Sequence, residues 1–128
     1  MTKWLNEELE AIGNDENLYL SIPNPDGNMH APAWIWIAEA DGRLFARGYS
    51  GQSARWYQSA KREGRGHLSV GGIEKEVHIR IVQDESLNEA IDKGYEKKYA
   101  GSAYLAHMIG QLAKSATVEF IPIDDSVE

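Results

Sequence analysis

The stretch from Met29 to Tyr57, MHAPAWIWIAEADGRLFARGYSGQSARWY, decides how the chain is read. Two β-prone runs flank Asp41-Gly42, the strongest short hairpin signal in the sequence. In the first run Trp34, Trp36 and Ala38 share one face, and Ala33, Ile35, Ile37 and Glu39 share the other. Both faces are largely apolar, so residues 29–40 are expected to form one central strand. In the second run Arg43, Phe45, Arg47 and Tyr49 lie on one face, and an arginine beside an aromatic at the strand's exit suggests a pocket wall. The chain then leaves through Tyr49-Ser50-Gly51 into a helix expected over 54–63, with Ser53 as its N-cap and Gly64 at its stop. A strand that feeds a helix through a small, polar loop presents free N–H groups to an anion.

On the N-terminal side, Leu18 to Ile22 alternates like a half-buried strand, and Pro23-Asn24-Pro25-Asp26-Gly27-Asn28 reads as a turn. Residues 1–13 are expected as a helix capped by Thr2, with Trp4, Leu5, Leu9 and Ile12 on one face, plugging one end of the fold. On the C-terminal side, strands over 66–70 and 73–83 join through Gly71-Gly72. A helix is expected to start over Asp84-Glu85-Ser86, with Ser86 and Glu89 at capping-box spacing and Lys97 and Lys98 in its last turn. A second helix is expected over 102–114, a last strand over 117–123, and a frayed acidic tail over 124–128. Successive strands mostly lack the intervening helices that a parallel α/β sheet requires. The expected class is therefore α+β, mainly β, with antiparallel hairpins curling into a small split or Greek-key barrel.

The chain of 128 residues fits a single domain, 1–128, able to bury roughly two-thirds of its unfolded surface. With no cysteine, disulfides, thiolate metal sites and cysteine nucleophiles are excluded. The N-terminus lacks the order of a signal peptide, and no apolar run approaches the ~20 residues that span a bilayer, so a cytoplasmic protein without a membrane partner is expected. The net charge of −7 argues against nucleic-acid binding. From Arg43 to Arg80, however, eight basic residues face three acidic ones, a local +5 that leaves −12 for the rest of the chain. That distribution suits a small anionic ligand at one site, or simply a solvated surface.

Arg47 with the loop Ser50, Gly51, Gln52, Ser53, Ala54 and Arg55 combines guanidinium forks, hydroxyls and helix N-terminal N–H groups, which makes it the best anion-site candidate. The alternative is Ser53 as a simple cap and both arginines in surface ion pairs. Trp34, Trp36, Tyr49, Trp56 and Tyr57 could wall a planar ring ligand or belong to the core. His30, His67, His78 and His107 show no ligand spacing, so no metal is expected. Tyr95, Tyr99 and Tyr104 stand near the turn between the late helices and either pack there, the favoured reading, or reach a pocket mouth. No carboxylate pair suited to hydrolytic acid–base work stands out.

The succession DGNMHAPAWIWIAEADGRLFARGYSGQSARWYQSA followed by GHLSVGG resembles the FMN-binding split-barrel superfamily, which includes pyridoxamine-phosphate oxidases and deazaflavin-dependent nitroreductases. It is more narrowly similar to a bacterial group of that superfamily designated only as a domain of unknown function (2255). The resemblance runs from about Leu18 to Ile121 and rests on the His-x-x-Pro-x-Trp, Asp-Gly-x-Leu, Ser-Gly…Trp-Tyr and Val-Gly-Gly elements together. It implies a six-stranded antiparallel split β-barrel with flanking helices, a homodimer, and FMN or a deazaflavin bound beside the strand ending at Arg47. Pro32, Ala33 and Trp34 would line the isoalloxazine side of the cofactor. Tyr49, Ser50, Gly51, Trp56 and Tyr57 would approach it from the loop and helix, and Tyr95 and Tyr99 would stand on the substrate side. In such enzymes the ring carries the hydride while the protein supplies position and electrostatics, so an oxidoreductase is implied. One departure stands out: where the deazaflavin relatives carry a basic, Gly-rich phosphate loop, this chain has Pro23-Asn24-Pro25-Asp26-Gly27. With that loop replaced, the alternative is a non-catalytic module that kept the barrel and binds another small ligand.

Overall fold

A computed structural model of the chain describes residues 4–14, 18–23, 26, 28, 32–70 and 72–123. The expected Thr2 cap, the 124–128 tail, His30 and residues 24, 25 and 27 of the expected turn lie outside these residues.

Helix α1, Asn6–Gly13, is followed by strand β1, Leu18–Ser21. Three strands come next, β2 Ala33–Ile35, β3 Ile37–Ala40 and β4 Arg43–Arg47, and a single 3₁₀ turn at Gly51–Ser53 leads into helix α2, Arg55–Glu63. The hairpin of β5, Arg65–Val70, and β6, Ile73–Val82, precedes helices α3 Glu85–Lys98, α4 Leu105–Met108 and α5 Gln111–Lys114, and β7, Thr117–Pro122, closes the order. The Asp41-Gly42 turn takes positive φ at both residues, +54° and +74°, as a type I′ hairpin requires.

All seven strands form one antiparallel sheet in the order β2-β1-β5-β6-β7-β4-β3. The two ends of that order, β2 and β3, are separated in sequence only by Trp36, so the sheet curls into a nearly closed barrel. This corrects the single central strand expected over 29–40 and explains why seven strands stand where six were expected. One run serves as both margins, pairing with β1 through Ala33–Ile35 and with β4 through Ile37–Ala40. The Trp36 carbonyl between them takes a hydrogen bond from the Tyr95 hydroxyl at 2.7 Å, so the break leaves no buried acceptor unpaired.

The expected alternation of faces holds. Ile35, Ile37, Leu44 and Ala46 point into the barrel with Leu18, Leu20, Leu68, Val77, Val118 and Phe120, and Tyr57 and Ala60 of α2 pack against them. Ala38, Ala40 and Phe45 point outward into a second core with Ile91, Tyr95, Tyr99, Met108 and Ala113, supplied by the helices that follow β6. Each fully buried large aliphatic or aromatic side chain contributes about 1.5–3 kcal/mol of transfer free energy. Helix α3 comes so close to β3 that a Cβ at Gly94 would lie 2.4 Å from the Glu39 carbonyl oxygen.

Several helix ends differ from expectation. Trp4 precedes α1 instead of lying in it, and its indole N–H donates to the Phe120 carbonyl at 2.9 Å, which fixes the plug on the barrel. The cap of α3 is Asp84, whose side chain accepts from the Leu87 N–H at 3.1 Å, because Ser86 is already inside the helix. The helix expected over 102–114 is two short helices, parted by Gly110 in an extended conformation. No helix among the described residues is long and apolar enough to cross a membrane.

Candidate functional site

On the outer face of the barrel, beside the break at Trp36, lies a cleft of about 420 Å³ lined by Trp34, Ile35, Trp36, Arg47, Tyr49, Trp56, Tyr104 and Met108. Its position follows from the fold. The β2–β3 junction supplies Trp34 and Trp36, the end of β4 supplies Arg47, the turn after it Tyr49, α2 supplies Trp56, and the segment around α4 supplies Tyr104 and Met108. Trp34, Tyr49 and Tyr104 remain more than half exposed at its rim, whereas solvent-facing aromatics of this size are normally covered.

The aromatic rings hold one another in fixed orientations. Trp36 stacks on Tyr99 with centroids 4.1 Å apart and planes at 11°, and Tyr104 meets Trp36 edge-on at 6.3 Å. Tyr49 meets the other side of Tyr104 edge-on at 6.3 Å and stacks on His107 at 3.9 Å. The His107 Nε2 lies 2.5 Å from the Tyr49 carbonyl, which assigns the ring proton to that nitrogen in the neutral imidazole.

Arg47 lies behind the apolar walls with its side chain wholly buried. Nε donates to Thr117 Oγ1, Nη1 to Asp92 Oδ1 and the Met108 carbonyl, and Nη2 to the Asn88 carbonyl and Oδ1, over 2.5–3.1 Å for four of these bonds and 3.2 Å for that to Met108. A guanidinium has five N–H donors, and all five are engaged here. The expected role of Arg47 as a direct anion ligand is therefore corrected: it touches the cleft but keeps no donor for an occupant.

The remaining expected residues are scattered. Ser53 does not cap α2: its hydroxyl donates to the Ser50 carbonyl at 2.9 Å, and Ala54 occupies the cap position. Gly51 takes φ +70°, where L side chains are strained, and a Cβ there would also meet Leu112 Cδ1 at 2.5 Å, so it serves the turn. Arg55 is exposed at the first residue of α2. Tyr57 is buried against the barrel core, where burial pushes its phenol pKa up, and Trp56 stands edge-on to it at 6.2 Å. Ala33 packs against the barrel core, and Pro32 lines a separate hollow with Tyr19, Ser21, His67, Ser69 and Glu74. Tyr95 and Tyr99 are buried beneath Trp36, with burial pushing the Tyr95 pKa far up, so they support the cleft floor and do not face a substrate. Of the three late tyrosines, Tyr104 is the one exposed at the rim. Asp92 and Asn88, which hold Arg47, carry no signal in the sequence, because their partner lies over forty positions away.

Two charged clusters lie elsewhere. Glu119 is nearly buried, which alone would raise its pKa, but Arg43 and Arg80 outweigh burial and hold it below the ordinary carboxylate range. His67 bridges Glu74 and Glu76, each at 2.5 Å, and bonding to Glu74 and then Glu76 raises its pKa. Among the described residues no three His, Asp or Glu side chains converge as metal ligands. A larger hollow of about 620 Å³ under α1 is lined by Glu10, Glu39, Asp41, Lys97 and Lys98, a mixed-charge surface without aromatic walls.

The cleft fits one half of a flavin-type nucleotide better than the other. Flat apolar walls suit a fused ring. For a phosphate there remain, among the described residues near the cleft, the Arg55 guanidinium and the first-turn N–H groups of α2.

No curated protein matches the chain. Among solved structures, a putative pyridoxamine 5′-phosphate oxidase from Listeria innocua is similar with a TM-score of 0.62 at 15% identity, over 94% of this chain and 93% of that one. An F420-H2 dependent reductase is similar with a TM-score of 0.58 at 15% identity, over 81% and 91%. An FMN-binding protein from Syntrophomonas wolfei subsp. wolfei reaches 0.57 at 16% identity, over 90% and 79%. At such identities the likeness is one of fold, the split barrel. Residues 8–120 match the family described as an uncharacterised protein conserved in bacteria (DUF2255), and the chain belongs to that family.

Proposed function

We propose that the protein binds a flavin-type nucleotide, FMN or a deazaflavin, with its ring in the aromatic cleft, and acts as an oxidoreductase. The observation that carries this reading is the cleft itself, about 420 Å³ between three tryptophans and two tyrosines. Structural neighbours described as an FMN-binding protein and an F420-H2 dependent reductase support it. When bound, the ring would supply the hydride chemistry. The chain's own part is to hold and screen that ring. Trp34 and Trp56 offer its walls, Tyr49 and Tyr104 offer hydroxyls at the rim, and Trp36, fixed by its stack on Tyr99, keeps the floor flat. Arg55 and the N-terminus of α2 would take the phosphate. The exposed rim of Trp34, Tyr49 and Tyr104 also fits a homodimer, in which a second copy would shield the ring from water.

A second reading, a non-catalytic module for a small planar ligand, is favoured by one specific observation: Arg47 keeps no free donor. Titration of the purified protein with FMN and with a deazaflavin, followed by ring fluorescence, separates the two. Saturable binding in the micromolar range, on the order of −8 kcal/mol, is expected for the cofactor reading. Arg55→Ala should weaken FMN by about 1.5–3 kcal/mol and leave riboflavin, which lacks the phosphate, unchanged. A colourless preparation that binds neither nucleotide would support the module.

A further inference from the structure

Among the described residues the cleft carries a single charged one, and its position says which form of a ligand the cleft takes. Arg47 cannot hydrogen-bond an occupant, since every N–H it has is spent on protein acceptors. Its charge nevertheless stands behind apolar walls, where screening is weak and a cation acts through its field. Among the described residues no carboxylate lines the cleft. The counterion is Asp92 on α3, which divides its two oxygens between Arg47 Nη1 at 2.5 Å and Lys114 Nζ of α5 at 3.0 Å. The cluster of Arg47, Asp92 and Lys114 thus holds two positive charges and one negative, with a cation as the member nearest the cleft. The other packed neighbours, Asn88, Thr117 and the Tyr95 ring 5.5 Å from the guanidinium, are neutral. At the mouth, the Tyr49 and Tyr104 hydroxyls have no hydrogen-bond partner among the described residues and can donate to an oxyanion.

We propose that this cleft selects planar aromatic ligands bearing an acidic O–H or ring N–H and takes them in the ionised form, with Asp92 and Lys114 setting how strongly the buried Arg47 charge is felt. This rests on the cleft assignment above but not on the occupant being a flavin. Removing the Asp92 charge unmasks Arg47 and strengthens the preference. Removing the Lys114 charge leaves Asp92 wholly to Arg47 and weakens it.

The test uses 4-nitrophenol, whose phenolate absorbs in the visible, bound to the full chain and titrated with base in the wild type, Asp92→Asn and Lys114→Met. The ionisation midpoint of the bound probe is expected below that of the free probe, lower again in Asp92→Asn, and back toward the free value in Lys114→Met. Each variant should change the ratio of phenolate to phenol affinity by roughly threefold to tenfold. Lys114 is partly exposed and its replacement spares the Arg47–Asp92 bond, so that variant stands even where Asp92→Asn folds poorly. A bound probe whose midpoint is unmoved, raised, or the same in wild type and Lys114→Met would overturn the inference. So would a probe that does not bind. FMN titration of the same samples reports separately on the cofactor reading, which survives if FMN binds while the probe shows no ionisation preference.

Discussion

Arg47 joins β4 to α3, to the α4 carbonyl of Met108 and to β7 through one side chain, so its loss removes five hydrogen bonds and leaves Asp92 with Lys114 alone. A buried pair broken from one side leaves the other charge uncompensated, although Lys114 still meets Asp92 here. Arg47→Met is expected to destabilise by on the order of 3 kcal/mol, with Arg47→Lys in between because an ammonium supplies three donors and no fork. Urea midpoints should follow that order at constant slope. His67 gives a second residue-level expectation. Its pKa is raised in the fold, so its contribution is complete below the unfolded value near 6.5 and is lost as pH rises through the higher folded value. Glu74 has a lowered pKa from bonding to His67 and then Ser69, so its contribution is present above the unfolded value near 4.5 and is lost as pH falls through the folded one. The urea midpoint should therefore be highest between the two unfolded values, about 4.5 and 6.5, and decline on either side until each folded value is passed, and His67→Gln should flatten both limbs. At this scale strand period put Arg47 and Tyr49 on one face, and the family resemblance set Trp34 and Trp56 beside them. The sequence could not tell that α3 would cover Arg47, because Asp92 and Asn88 reach it only in the folded chain.

Among the elements, the contact of α3 with β3 depends on one missing atom. A Cβ on Gly94 would meet the Glu39 carbonyl at 2.4 Å, and backbone cannot retreat as a flexible side chain can. Alanine would favour the isolated helix by up to about 1 kcal/mol, yet steric displacement of α3 outweighs that gain. Gly94→Ala is expected to lower stability by a net 1–2 kcal/mol or so and to loosen Tyr95 and Tyr99 beneath Trp36, seen as a lower melting temperature together with weaker near-UV circular dichroism. The Asp41-Gly42 turn and the β5–β6 hairpin were legible because their chemistry is local. The break at Trp36 was not, since apolar and alternating residues run through it unchanged and the hydroxyl that satisfies its carbonyl stands 59 positions away. The single helix expected over 102–114 failed for a nearer reason: Gly110 sits extended, and its neighbours bend α4 toward the cleft and α5 toward Asp92.

Over the whole molecule, one run of sequence closes the barrel by serving as both margins of the sheet, and the same junction opens the cleft on the outside. Barrel class was legible from hairpins without crossover helices. The cleft was legible only as a concentration of aromatics, because which of them face outward depends on the break. The occupant proposed for the cleft is a planar ring against Trp34, Trp36 and Trp56, the three tryptophans that line it. The chain has four tryptophans, and the fourth, Trp4, is buried at the barrel plug with its indole N–H bonded to Phe120, so it is an internal control. The most direct measurement is the ¹H–¹⁵N spectrum of the indole N–H groups, titrated with FMN. Ring-current shifts of the Trp34, Trp36 and Trp56 resonances, saturating together while Trp4 stays still, are the predicted result. Saturable FMN binding that leaves those three unmoved, or no binding at all, would contradict it.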